Sequence, residues 1–411
     1  MEKSLPIPDL DGAMALIREK VLPLETEQVT LEHAAGRVAA ENLDGLQPIP
    51  DFDQSTRDGF APATEGPFEE TSGLVRFRIR GEIAAGDTRN HTVAQGDCLR
   101  IMTGAMLPEG ADRVVPWERC RVSGEFLELF SDELEGGEHF VRRRGSELKQ
   151  GSLLLGGGKV ISPEHQVHLA AAGNERVAVV RRPGVACFCT GSELVRSGQP
   201  VQPGQKVSGN RFLLTGLGRR FGGIPEDLGV IPDTAGELDS CFQKLAQQNN
   251  DLVVSTGGMG PGKYDLLEES FVRAGGEVWF RALMLRPGKS ILFGRLGKSF
   301  FIGLPGPPPA VRTLFNELVG PLLLRLQGVE RTYPRVVTAH LSQKLRRKKT
   351  GVMMFSGGQL FFKDGRCLVR PASKMEVPDC LIVIPAHRKS FKPGSRVSVH
   401  LVSAPFSPAL S

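Results

Sequence analysis

Between Arg182 and about Gly328 the chain repeats one rhythm: a short apolar run, a glycine turn, then a stretch with helical spacing. The runs Val185–Cys189, Glu226–Val230, Leu252–Ser255 and Ser299–Ile302 read as strands. Arg211–Phe221, Gly236–Gln248, Leu266–Ala274 and Ala310–Leu326 read as helices. Parallel strands need crossover connections, so this alternation predicts a three-layer α/β domain with a mostly parallel sheet. Ligands of such sheets bind beyond the carboxyl ends of the strands. The glycine turns at Gly191, Gly257-Gly258 and Gly303–Gly306 fall at those ends. Without a Cβ, their backbone N–H groups can approach a phosphate closely.

The flanking segments have a different texture. The N-terminus reads as a helix capped by Asp11, with Met14, Ile17 and Val21 at helical spacing, and a second helix is expected over Leu31–Leu43. From Gln47 onward short β-rich runs alternate with glycine turns: Val75–Ile79, Cys98–Met102, Arg113–Trp117 and Phe126–Leu129. A helix returns at Ser162–Leu169, opened by Ser162-Pro163. From Tyr333 the chain is strand-rich again, at Val336–Leu341, Gln359–Phe362, Leu381–Ile384 and Arg396–Leu401. The expected organisation is a discontinuous helical linking domain (1–46 and 147–180) and a β-rich insert (47–146). An α/β domain (181–330) and a C-terminal β-barrel-like domain (331–411) complete it.

At 411 residues the chain is too long for one ordinary core. A net charge of +5 gives no strong case for nucleic acid, and no apolar run approaches the ~18 residues of a membrane span. Seven cysteines without a CxxC pair argue for reduced thiols in a cytoplasmic protein. The polar start, MEKSLPIPDLDGAM, does not resemble a signal peptide.

Several motifs admit two readings. PDFDQSTRDGFA (Pro50–Ala61) is either a solvated loop of turn formers or a polar loop presenting Asp58 to a cation or amine. RIMTGA ends a strand at Thr103. Arg142–Arg144, followed by Gly145, is a solvated cluster or a phosphate clamp. Glu193 in CTGSEL, Asp233 and Asp265 place three acids at the mouth of one sheet, which suits Mg²⁺ beside a phosphate-binding turn. Arg286-Pro287-Gly288-Lys289 holds two cations on a stiff turn, suited to a tetrahedral oxyanion or to surface salt bridges. Lys344–Lys349 (KLRRKK) reads as a solvated edge of the tail, since no aromatic residues interleave it for nucleic acid.

Taken in order, PDFDQSTRDGFA, RIMTGA, RRRG, CTGSEL, STGGMGPGKYD, RPGKS and GLPG resemble the MoeA/gephyrin E-domain family of molybdopterin molybdenumtransferases over essentially the whole chain. The resemblance implies a homodimer, with an active site between the α/β domain of one protomer and the β insert and tail of the other. The implied activity is the Mg²⁺-dependent insertion of molybdate into adenylylated molybdopterin with release of AMP, after handover from a molybdopterin adenylyltransferase. Its substrate-binding acids and hydroxyls match Asp58, Thr103, Glu193, Asp233 and Asp265, with the cation assigned to the last three; its anion-binding pair matches Arg286 and Lys289. Asn210, Gly257, Gly258 and Gly306 complete the expected substrate contacts, and neither nucleic acid nor membrane is expected as partner.

The chain also departs from that pattern. Glu147 stands where the family usually has Asp, Val207-Ser208-Gly209 precede Asn210 in place of a tyrosine-aspartate pair, and Ser290 replaces a proline. GLPGPPPA loses an amide and a hydroxyl at Pro307 and Pro309. In the tail the family's arginine-glycine contact is matched only by Phe355-Ser356-Gly357-Gly358, and its serine-rich turn by Ala372-Ser373-Lys374-Met375. These changes thin out the molybdate side, so weaker molybdate binding is expected. Two alternatives remain: a weakened paralogue that binds or carries the pterin or its nucleotide, or a molybdopterin adenylyltransferase.

Overall fold

A computed structural model describes residues 5–66, 70–71, 73–135, 139–259, 266–330, 332 and 334–402. The chain forms two compact units. One holds residues 1–41, 157–162 and 178–411; the other holds residues 42–156 and 163–177.

In the larger unit helix α1 (Leu10–Lys20) buries Ala13, Met14 and Ile17. Its N-cap is Asp9, whose carboxylate accepts from the Gly12 N–H at 2.9 Å, and not Asp11, which lies inside the first turn. The expected helix over Leu31–Leu43 is absent. Leu31–His33 makes one tight 3₁₀ turn, and Gly36 takes φ +72°. The following N–H groups then find long-range partners, Gly36 at Ile161 O, Ala39 at Lys159 O and Ala40 at Ala178 O. Tertiary pairing has overridden an alanine-rich local preference.

Six strands form the central sheet: β1 (Gly184–Thr190), β2 (Ile224–Ile231), β3 (Leu252–Thr256), β4 (Glu277–Ala282), β5 (Ser290–Leu296) and β6 (Ser299–Leu304). Their order is β2-β1-β3-β6-β5-β4. The first four are parallel, while β5 and β4 add an antiparallel edge. β4 and β5 were not expected from sequence; the runs EVWFRA and SILFGRL alternate poorly because β5 is buried on both faces.

Alternation along the strands divides the core in two. Val185, Cys187, Leu252, Val254, Ile302 and Leu304 face α2 (Asn210–Arg220), α5 (Pro308–Leu314) and α6 (Gly320–Leu326). Ala186, Phe188, Val253 and Phe301 face α3 (Ala235–Gln247) and α4 (Leu266–Arg273). On that second side Phe242 meets Phe188, Phe271 and Phe301 edge-on, with ring centroids 5.4–6.0 Å apart. A five-residue π-helical stretch, Phe315–Val319, separates α5 from α6 within the predicted run Ala310–Leu326.

The C-terminal strands are β7 (Val336–Leu341), β8 (Met353–Lys363), β9 (Arg366–Pro371), β10 (Cys380–Ile384) and β11 (Arg396–Leu401). Pairing runs β8-β9-β7-β11-β10 and returns from β10 to β8, which closes a five-stranded barrel. Ala339, Leu341, Val369, Ile382, Val397 and Val399 fill it, while Phe355 and Leu381 join the α/β core. The strand Leu285–Arg286 pairs in parallel with Met353–Met354 at the start of β8.

The smaller unit is built on a seven-stranded sheet. Its path runs Arg121–Ser123, Phe126–Phe130, Leu74–Ile83, Asp97–Ile101, Gly59–Pro62, Val115–Pro116, with Glu70–Thr71 beside Leu74. Neighbours in sequence serve opposite faces: Phe60 and Cys98 belong to one apolar cluster, Ala61 and Leu99 to another. The helix Pro163–Ala171 also lies in this unit, close to its expected span.

Among the described residues no helix is long and apolar enough to cross a membrane. All seven cysteines are free thiols. Burial pushes the Cys98, Cys187 and Cys380 thiols up to about 12, so they act as small apolar side chains.

Candidate functional site

The carboxyl ends of β1, β3 and β6 open into a cavity of about 510 Å³. Its walls come from Thr190 and Glu193 after β1, Lys206–Asn210 before and at the start of α2, Thr256 and Gly257 after β3, and Gly306–Pro308. The backbone here requires glycine. Gly257 sits at φ +98°, and a Cβ on it would lie 1.9 Å from the Thr190 carbonyl oxygen. Gly258, at φ +63°, is packed against Leu267 and Thr190. Around Gly306 the space is open, with nothing within 4 Å of a built Cβ.

Asn210 fastens two of these turns together. Its Nδ2 donates to the Gly306 carbonyl at 2.7 Å and to Thr256 Oγ1 at 3.4 Å, while its Oδ1 is buried without a partner. Thr190 and Ser208 are each only 2% exposed, and their hydroxyls likewise have no partner. Buried polar atoms normally pair, since leaving one unpaired costs about 1–3 kcal/mol. Several such atoms around one opening indicate groups held ready for a ligand.

Asp233, after β2, does not line the cavity but lies close to two residues that do, Thr190 and Glu193. Its Oδ1 is buried and unpartnered. Burial pushes its carboxyl pKa up; the nearby Thr190 hydroxyl, outside hydrogen-bonding geometry, offsets part of this, and the Glu193 charge adds to the rise. Glu193 and Asp233 are therefore brought together. Asp265, the third expected acid, lies outside the described residues, as do Gly260–Tyr264 of the same motif. Among the described residues no three His, Cys, Asp or Glu side chains form a ready metal cluster. The donors present are carboxylate, hydroxyl and amide oxygens, which suit a hard cation such as Mg²⁺.

Arg286 and Lys289 do not line the cavity. They occupy the turn that enters β5, and Leu292 of β5 pairs with Gly303 of β6. This register carries the turn to the same edge of the sheet as Gly306. Both cations are exposed, and among the described residues neither makes an ion pair. Gly288 between them has φ +114°, with a built Cβ 2.7 Å from Leu314 Cγ, so the turn is seated on α5.

The tail departures have structural counterparts. Phe355–Gly358 runs inside β8, where Gly358 is packed against Ile382 and Cys380. Ala372–Met375 is organised by Glu376, which takes two 2.7 Å bonds from Arg370 and one from the Ser373 N–H. The Arg370 guanidinium holds the Glu376 carboxyl down to about 2. This arginine is already matched.

In the smaller unit Asp58 precedes the strand Gly59–Pro62, whose Gly59 pairs with Ile101. That register sets Asp58 beside Thr103, and its Oδ1 accepts from the Thr103 N–H and hydroxyl, both at 2.7 Å. The Thr103 N–H, then its hydroxyl, lowers the Asp58 pKa, so the carboxylate is ionised. The RRRG run is internally satisfied. Arg142 pairs with Glu147, Arg143 donates to Asp53 and to the Asp112 carbonyl, and Arg144 donates to Asp53 and the Asp51 carbonyl.

Glu193, Asn210 and the glycines of this site are legible in the sequence, whereas Thr190, Lys206, Ser208 and Thr256 are not. Thr190 and Thr256 each end a buried apolar strand, and that position was the available signal. Lys206 and Ser208 gave none, because the short parallel pairing of Leu194–Val195 with Lys206–Val207 is what carries them in.

The N-terminal region of MoeA (domains I and II) matches residues 9–173, and a probable molybdopterin-binding domain matches residues 186–325. A molybdopterin molybdenumtransferase of Haemophilus influenzae is 31% identical over 95% of this chain and 97% of its own. One from Staphylococcus aureus is 27% identical over 98% and 97%. The crystal structure of a molybdopterin biosynthesis MoeA protein from Pyrococcus horikoshii is 28% identical, with a TM-score of 0.83 over 97% of this chain and all of that one. The paired family regions, the full-length relatives and the shared fold agree: this chain belongs to the MoeA family of molybdopterin molybdenumtransferases.

Proposed function

We propose that the protein carries out the metal-insertion step of molybdenum cofactor synthesis, transferring molybdenum from molybdate into adenylylated molybdopterin with release of AMP. The observation that carries this reading is the cavity at the strand ends, lined by Glu193 and by unpartnered Thr190, Ser208 and Asn210 atoms, with Asp233 close to Thr190 and Glu193 and the Arg286–Lys289 turn at the same end of the sheet.

The cavity's hydroxyls and amide oxygen suit the polar edges of a pterin nucleotide, and the Gly257 turn lets backbone approach its phosphates. Glu193, Asp233 and Asp265 would hold Mg²⁺. When bound, that ion would draw electron density from the phosphoanhydride and stabilise the departing phosphate. Ionised Asp233 is disfavoured by burial, so a cation beside it supplies the missing charge. Arg286 and Lys289 would hold the molybdate oxyanion by charge and hydrogen bonding. The protein's part is positioning and electrostatics, and the sulfur and metal chemistry belongs to the substrates. Asp58 and Thr103 are proposed as further substrate contacts on the strength of their motif. The family resemblance likewise supports a cytoplasmic homodimer that receives its substrate from a molybdopterin adenylyltransferase.

The test is AMP release from adenylylated molybdopterin, measured with and without molybdate and Mg²⁺. Release that needs both, and is lost in Asp265→Ala, supports the reading. A second reading is favoured by the barrel wall at Phe355–Gly358, which offers no cation: a protein that binds the pterin nucleotide without turning it over. Tight nucleotide binding with no AMP release would support it, and ATP consumption with pyrophosphate release would instead indicate an adenylyltransferase.

A further inference from the structure

KLRRKK is not used by the proposed reaction, and the fold gives it a partner. Segments 342–352 and 385–395 leave the same end of the barrel, connecting β7 to β8 and β10 to β11. Leu345–Arg346 pairs antiparallel with Ser390–Phe391, so SQKLRRKKTGV and PAHRKSFKPGS lie side by side. Neither contains an Asp or Glu. Together they expose seven cations: Lys344, Arg346, Lys348, Lys349, Arg388, Lys389 and Lys392. None of the seven makes an ion pair among the described residues.

The two segments are bolted together. Arg347, 4% exposed, turns inward and donates to the Val352 carbonyl at 2.7 Å and to the Ala386 carbonyl. Its N–H binds Lys389 O, and the Gly351 N–H binds Ala386 O, both at 3.0 Å. A solvated charge run needs no such scaffold. The Arg286 strand pairs at the start of β8, which places the oxyanion turn at this same barrel end.

We propose that this end of the barrel is a docking surface for an acidic segment of a protein partner. Seven unmatched cations spread over two segments suit several separated carboxylates better than one small anion. The chain's net charge of +5 falls to −2 once these seven are set aside, so a long nucleic acid would meet an acidic remainder while a short peptide touches only the patch. Phe391 is only partly exposed and lies beneath Arg388, so apart from the exposed His387 ring the patch is short of the aromatic faces on which bases stack.

The full-length protein is titrated against a fluorescein-labelled peptide of alternating glutamate and glycine, and against a DNA duplex of equal charge, with anisotropy as readout. The peptide should bind more tightly than the duplex and weaken as salt rises. Replacing Lys348, Lys349, Arg388 and Lys389 together by Gln should weaken peptide binding roughly tenfold, and by Glu more, with circular dichroism and thermal midpoint unchanged. Arg76→Gln with Arg78→Gln, exposed cations paired to Glu128 and Glu125, should leave it unaltered. Peptide affinity indifferent to the patch variants overturns the proposal. So does a duplex that binds more tightly than the peptide and is lost in the same variants, which would assign the surface to nucleic acid.

Discussion

The Arg286–Lys289 turn and the Arg142–Arg144 run look alike in sequence: clustered cations beside a glycine. Their surroundings differ completely. Asp53 accepts from Arg143 and from the Arg144 N–H, both at 2.7 Å, and Glu147 takes Arg142, so the run is spent on holding its own loops. The turn at Arg286 pairs only through backbone, to β8 and to Leu283, and its charged ends are unmatched among the described residues. The fold matches the charges of one basic motif and leaves those of the other unmatched among the described residues, and residue type alone does not say which is which.

The largest effect should come from emptying the turn. On the proposed role, Arg286→Ala with Lys289→Ala would remove two charge-assisted bonds worth about 1.5–3 kcal/mol each, so molybdate affinity should fall at least roughly a hundredfold, with the thermal midpoint held. Isothermal titration with molybdate measures it. The matched run should behave the other way. Asp53→Ala strips acceptors from Arg143 and Arg144 and should cost about 1–2 kcal/mol in urea unfolding, with molybdate affinity unchanged. If Asp53→Ala weakened molybdate binding as much as the double variant did, the contrast between the two motifs would vanish.

Two acids sharpen the comparison through pH. Burial raises the Asp53 pKa, but the Arg144 N–H and the Arg143 guanidinium outweigh it and leave it lowered. Its stabilising contribution is therefore complete above the ordinary aspartate pKa and disappears as pH falls through the lowered one. The stability gap between the parent and Asp53→Asn should close in that acidic window. Asp233 is shifted oppositely, so the folded state holds its proton longer than the unfolded chain does. Stability should decline as pH rises from the ordinary aspartate value through the raised one, and Asp233→Asn should remove that decline. This smallest effect is read from melts across pH in the absence of Mg²⁺.

The α/β domain was legible where a continuous apolar run such as Leu252–Thr256 leads through a glycine turn, and where helical spacing follows. The predicted strand Leu252–Ser255 and the helix Gly236–Gln248 each fall within a residue of the observed element. Leu31–Leu43 misled because local alanine content lost to pairing with residues 159–178, which no short window contains. The cavity was half legible. Glycine turns and acids announce themselves, whereas Lys206 and Ser208 reach it through a two-residue parallel ladder with no signature. The unmatched state of Arg286 and the matched state of Arg143 depend on partners that spacing does not reveal. For Arg143 the key acid, Asp53, is 90 residues away.

The most direct measurement is AMP release from adenylylated molybdopterin by the parent protein and by Arg286→Ala with Lys289→Ala. Release should require both molybdate and Mg²⁺ in the parent, and should need at least about a hundredfold more molybdate in the variant. Release of equal rate and equal molybdate dependence in both proteins would contradict this reading.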